Sequence, residues 1–158
     1  MVDRKPPRPI ADERTTMLAL LGFQRESLIA KVDGLDGERA TSVSMPSGTT
    51  LLWLVQHMAV AETLWIVHRY LGESPRPDDP GAAPTGTVEH AVAEYRRAAE
   101  RTDATLSAAA DLEELCATTG SESPVSLRWV LAHLLEETAR HAGHADILRE
   151  LTDGATGR

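Results

Sequence analysis

Apolar residues recur at helical spacing in four long stretches of this chain, and clusters of proline and glycine part the stretches from one another. A repeat of three to four residues puts one face of a helix against a core, whereas a strand needs alternation, which no stretch sustains. Met17, Leu18, Leu21, Leu28, Val32 and Leu35 mark a first helix over about Ala11–Val32, ended by Gly34 and Gly37. A second opens after the turn residues of MPSGTT, with Ser47 or Thr49 as the cap, and runs to about Leu71. It is apolar around most of its circumference and should be central. A third follows Thr87 to about Ala110, along Val88, Val92, Tyr95 and Leu106. The fourth runs from Leu127, behind a Ser126 cap, to about Leu151, before Gly154. The connection Gly72–Gly86 holds four prolines and three glycines, so it is a loop, long enough to cross a bundle. The expectation is an all-α four-helix bundle over residues 11–152, with a long crossover loop between helices 2 and 3. Pro6, Pro7 and Pro9 make residues 1–10 a loose arm.

Composition narrows the function classes. Aromatic residues make up only 4% against 42% hydrophobic, so the core is aliphatic. A net charge of −8, with no basic stripe, excludes nonspecific nucleic-acid binding and disfavours an anionic membrane surface. The apolar run Leu51–Leu71 is interrupted by Gln56, His57, Glu62, His68 and Arg69, which argues against a membrane span. One cysteine, Cys116, allows no intrachain disulfide and fits a reduced, cytoplasmic setting. Its acidic neighbourhood, DLEEL, makes it a packing residue rather than a nucleophile. The first sixteen residues lack the apolar segment of a signal peptide.

The chemistry gathers in EETARHAGHAD, Glu136–Asp146. At 100° per residue, Glu137, His141 and His144 lie roughly 40°, 80° and 20° from His133 on the helix circumference. Leu134, Ala145 and Leu148 flank this stripe, which points it inward. Buried polar groups need partners or cost about 1–3 kcal/mol each. A metal would supply them, since a helix offers two ligands at i,i+3 or i,i+4. Glu137/His141 and His141/His144 both qualify, but Glu137 and His144 are about 10.5 Å apart along the axis, so all three together are not expected. A further ligand must come from a facing helix, and His57 in LVQHMAVAE is the candidate. His68 is read as a helix-end residue facing the C-terminal dipole, and His90 as an exposed first-turn residue. The same residues also fit a solvated face with pairs such as Glu136–Arg140 and with Arg149, or a polar network without metal. Spacing alone does not choose between these.

MPSGTTLLWLVQHMAVAE and VSLRWVLAHLLEETARHAGHADILREL, with the spacing between them, resemble the DinB/YfiT-like superfamily of small four-helix metalloproteins. The nearer similarity is to its actinobacterial mini-circle-protein-like branch, related to the N-terminal domain of mycothiol-dependent maleylpyruvate isomerases. The resemblance implies a metal triad of His57, Glu137 and His141. Most members carry two histidines on the last helix, and the isomerases share the glutamate. His144 falls where many relatives have glutamine, which leaves it as a supporting group, an acid/base or a substitute ligand. The implied cofactor is a divalent metal, Zn²⁺ or Ni²⁺, and the implied chemistry is that of a low-molecular-weight thiol cosubstrate in S-transfer or isomerisation.

Two imidazoles and a carboxylate leave a fourth zinc position open, as catalytic sites do. A thiol there would be deprotonated, and a water there would reach a pKa near 7, the basis of a metal-dependent hydrolase alternative. His133 is expected to orient Glu137 through a hydrogen bond, and His144 to move protons. Trp53, Trp65 and Trp129 are core packing residues by default, though they could wall a small-molecule substrate pocket. The rival reading is a noncatalytic metal- or ligand-binding bundle. Helix 2 carries more apolar surface than three partners cover, so a homodimer is expected; a monomeric mass in sedimentation at micromolar concentration would remove it.

Overall fold

The computed structural model describes residues 5–73, 79, 81–118 and 123–157. The long helices are α1 (Glu13–Ala30), α3 (Leu51–Glu62), α4 (Val88–Ala108) and α5 (Leu127–Asp153), with a short α2 (Gly37–Ser42) between the first two. Residues 5–10 carry no regular structure and are mostly exposed.

Each long helix starts on a side-chain cap. Asp12, Thr87 and Ser126 accept the N–H of Thr15, His90 and Trp129. The cap of α3 is Thr50, which accepts the Trp53 N–H at 3.1 Å, and not Ser47 or Thr49, whose hydroxyls bond each other at 3.0 Å in the preceding turn. Buried Thr50 closes a first turn that water does not reach. Thr50→Ala should therefore cost ~1 kcal/mol in urea unfolding, and Ser47→Ala less than ~0.5 kcal/mol. Equal costs would return the cap to the turn. α5 ends on Gly154, whose φ of 76° is open to glycine without strain.

The expected second helix is not uniform. From Thr63 to Tyr70 the winding widens to a π-helix, with the Leu71 N–H reaching the Ile66 carbonyl at 3.0 Å. A 100° wheel no longer applies there. His68 bonds the Glu73 carbonyl through Nδ1 at 3.1 Å. By length and composition Leu51–Tyr70 would be long and apolar enough to cross a bilayer. It contributes Leu51, Leu52, Leu54, Val55, Met58 and Ile66 to the core.

Helix directions follow from side-chain pairs. Gln56, in the middle of α3, exchanges two hydrogen bonds with Thr85 just ahead of α4, and Glu73, beyond the π-helical turn that continues α3, pairs with Arg101 at 2.8 Å. α3 and α4 thus run parallel, as the expected crossover between them requires; residues 74–78 and 80 of that connection lie outside the described residues. α1 and α5 are parallel as well: Glu13 pairs with Arg128, and Lys31 with Asp146 at 2.5 Å. Leu21 clusters with Ile66, and Leu28 and Val32 with Leu51 and Leu54, so α1 opposes α3. The most extensive packing joins α3 to α4 and α1 to α5; the seam between α3 and α5 is thinner.

The core is two apolar clusters. Between them in every long helix sits a buried polar residue: Arg25, Glu62, Thr102 and Thr138. Arg25 grips both Glu62 oxygens at 2.7 Å and reaches Asp103 at 2.7 Å. Neither this pair nor buried Lys31 is signalled by the apolar pattern. Arg149 corrects the solvated-face expectation: it is buried and donates to the Lys31 and Asp33 carbonyls at 3.0 and 2.9 Å and pairs with Asp153. Cys116 is buried beside Leu112 and Leu127, and burial, opposed by Arg69, pushes its thiol up. Burial, not the acidic neighbours, makes it a poor nucleophile.

Candidate metal centre

α3 and α5 face each other across the thinner seam, and each presents ring nitrogens to it. His57 comes from the second turn of α3, behind the Thr50 cap. Glu137 and His141 come from consecutive turns of α5. One ligand atom from each of the three lies within 4.8 Å of the others, and all three side chains are half-buried. His141 Nε2 is 3.1 Å from a Glu137 carboxylate oxygen. The His57 and His141 rings meet edge to face, centroids 4.8 Å apart. Trp53 lies flat on His57 at 4.5 Å and 15°, and fixes the plane of that imidazole.

This donor set fits a zinc-class ion. Zinc bonds nitrogen and oxygen at about 2.0–2.2 Å, so tetrahedral ligands stand roughly 3.4 Å from one another, within reach of small side-chain rotations from the observed spacing. The electrostatics agree. Burial first, and then the neighbouring His57, lower His141 to about 4 from 6.5, so at neutral pH its ring nitrogen offers a lone pair rather than a proton.

His144 stands beside this group without joining it. Its Nδ1 is 3.4 Å from His141 Nδ1, on the opposite side of that ring from Glu137. His133 departs from the expected role. It makes no hydrogen bond to Glu137 among the described residues; its ring is stacked on Trp129 at 4.8 Å and meets Trp65 edge-on at 4.9 Å. Its Nδ1 is 3.8 Å from Glu136. The reason is geometric: Trp129, one turn earlier on the same helix, claims the face of the imidazole. Glu136 lies near His133, and no Glu136–Arg140 pair forms among the described residues. His90 is exposed, 3.8 Å from Glu94, and His68 lies away from the group.

A cleft of about 550 Å³ opens between α3 and α4, walled by Gln56, His57, Thr63, His90, Arg97 and Arg101 among others. Sequence periodicity does not show it, because it exists only where the crossover connection returns Thr85 to Gln56. His57 is the residue common to the cleft and the triad.

Against known families, the chain matches the one described as mycothiol-S-transferase over residues 16–154, which spans all four long helices but for the first turn of α1. Among curated proteins none matches it.

Proposed function

The chain belongs to the mycothiol-S-transferase family, and we propose that it transfers the sulfur of a mycothiol-type thiol to an electrophilic acceptor at a divalent metal held by His57, Glu137 and His141. The observation that carries this reading is the convergence of three ligand atoms from two facing helices within 4.8 Å. A divalent ion bound there would stabilise the thiolate form of the cosubstrate at neutral pH.

The chain's own groups do the rest. Trp53 holds the His57 ring in plane. With His141 using Nε2 toward the ligand group, its Nδ1–H points at His144 Nδ1, so His144 accepts and fixes the orientation of the ring. The single carboxylate, Glu137, lowers the charge of the centre by one. The cleft beyond His57, lined by Val60, Val67 and several alanines as well as Gln56, Thr63 and Arg101, gives room and some hydrogen-bonding groups for the body of a thiol cosubstrate. In the reaction the sulfur forms a bond to the acceptor carbon, the leaving group departs with its electron pair, and the thiol proton passes to solvent.

The test uses untagged protein loaded with Co²⁺. Added mycothiol should produce a sulfur-to-cobalt band in the near ultraviolet and be consumed when an alkylating acceptor is present. A cobalt spectrum indifferent to thiol would remove the open coordination position. A spectral change without turnover would leave a noncatalytic thiol-binding bundle.

A further inference from the structure

We propose that His133, Glu136 and Glu137 form a second divalent-cation site, one helical turn from the first centre, with Glu137 shared between the two ions. The ion it suits is an oxygen-preferring one such as Mn²⁺. Only the sharing of Glu137 rests on the metal centre proposed above; the second site itself is a separate binding claim.

One ligand atom from each of the three residues lies within 4.8 Å of the others. His133 and Glu137 are half-buried and Glu136 is exposed, so the site opens to solvent on one side. The spacing along α5 explains why they meet. Glu136 and Glu137 follow His133 by three and four residues, the two intervals that bring helix side chains together. His141 follows Glu137 by the same four-residue step, so α5 presents donors on consecutive turns with Glu137 in the middle. A turn is about 5.4 Å of axis. The two oxygens of one carboxylate can each face a different ion across such a gap.

The groups are held in advance, and their charges are not met by cations of the chain. The His133 ring is stacked on Trp129 at 17° and met edge-on by Trp65, so packing fixes its plane before any ion arrives. Its Nδ1 stands 3.8 Å from a Glu136 oxygen, beyond hydrogen-bond length. Among the described residues, Glu136 and Glu137 each pair with a histidine and with no lysine or arginine. Two neighbouring carboxylates in that state repel each other. A divalent ion between them and His133 removes the repulsion and closes the 3.8 Å gap.

The donor set selects the ion. Imidazole suits zinc and nickel, whereas carboxylate and water suit manganese and magnesium. The first centre has two imidazoles and one carboxylate; the second has one imidazole and two carboxylates, with Glu136 at the surface. The second is therefore less suited to zinc and better suited to an ion that keeps part of its water. Its single imidazole favours Mn²⁺ over Mg²⁺.

The test titrates protein carrying one equivalent of Zn²⁺ with Mn²⁺ and reads unbound Mn²⁺ by electron paramagnetic resonance. The parent should take up one further equivalent. His133→Phe keeps a ring between Trp129 and Trp65 but has no donor nitrogen. It and Glu136→Gln should each weaken Mn²⁺ binding about tenfold or more and keep the Zn²⁺ equivalent. Glu150→Gln, at an exposed position further along α5, should change neither. With Co²⁺ in place of Zn²⁺, the signal of bound Mn²⁺ should broaden, because two paramagnetic ions then stand one turn apart; an unbroadened signal overturns the sharing of Glu137. No Mn²⁺ uptake, or uptake that survives both variants, overturns the second site and leaves the first centre standing. If the parent holds no Zn²⁺, the first centre falls and the same titration of metal-free protein decides the second: Mn²⁺ binding lost in both variants supports it, and unchanged binding overturns it.

Discussion

His57→Ala and His141→Ala should each lower Zn²⁺ affinity by more than about 100-fold, beyond the 10–100-fold typical when only a supporting group is removed. Competition against a chromophoric chelator measures this, with circular dichroism to check that the bundle persists. Each variant leaves two donors where the parent has three, and in His57→Ala both come from one helix, so the ion no longer ties α3 to α5. Glu137→Ala belongs with them. His144→Ala should fall in the 10–100-fold band, because it removes the acceptor for His141 Nδ1 and not a donor atom of the group. The ordering discriminates between ligand sets. If His144→Ala costs as much as His57→Ala while Glu137→Ala costs little, the triad is three histidines, and the 3.1 Å Glu137–His141 contact is an ion pair only. A parent that takes up no Zn²⁺ sinks the centre altogether.

The four-helix architecture was legible because it rests on local signals: the 3.6-residue period, capping residues at Thr87 and Ser126, and glycine at the stops. The pairing of His57 with the α5 stripe was legible too, since two polar groups facing inward on central helices need a common partner. Three features were hidden for identifiable reasons. The π-helical winding from Thr63 has no residue signature in TLWIVHRY and shifts every later angle on that helix. The orientation of His133 depended on Trp129, its i,i+4 neighbour stacked on it, and also on Trp65, which reaches it from another helix where a one-helix wheel cannot register it. Thr50 took the cap from Ser47 and Thr49 because the turn before it closes on itself, with the Gly48 N–H on the Met45 carbonyl at 2.8 Å.

The buried Arg25–Glu62 pair, which the apolar pattern does not signal, sets the largest expected effect on stability. Glu62→Ala should destabilise the fold by about 3–5 kcal/mol, because it strands the Arg25 guanidinium in the core with only Asp103 to face. Glu62 is fully buried and Arg25 nearly so. Burial pushes the Glu62 carboxyl up and Arg25 opposes it; two 2.7 Å bonds from one guanidinium to both oxygens mark the ionised pair. Against a total stability of about 5–15 kcal/mol for a domain, such a loss is a large share. The double variant Arg25→Met, Glu62→Leu should recover most of it, since apolar residues of similar volume often replace a buried pair without cost. Urea unfolding of both singles and the double completes the cycle. The comparison also bears on the site. Glu62 lies five residues beyond His57 and directly before the widened winding, so the pair anchors α3 to α1 at the level where α3 faces α5. If the double variant regains stability but binds Zn²⁺ more weakly than the parent, the ion pair sets the orientation of His57. If metal affinity returns with stability, packing alone sets it, and the charged layer is dispensable to the centre.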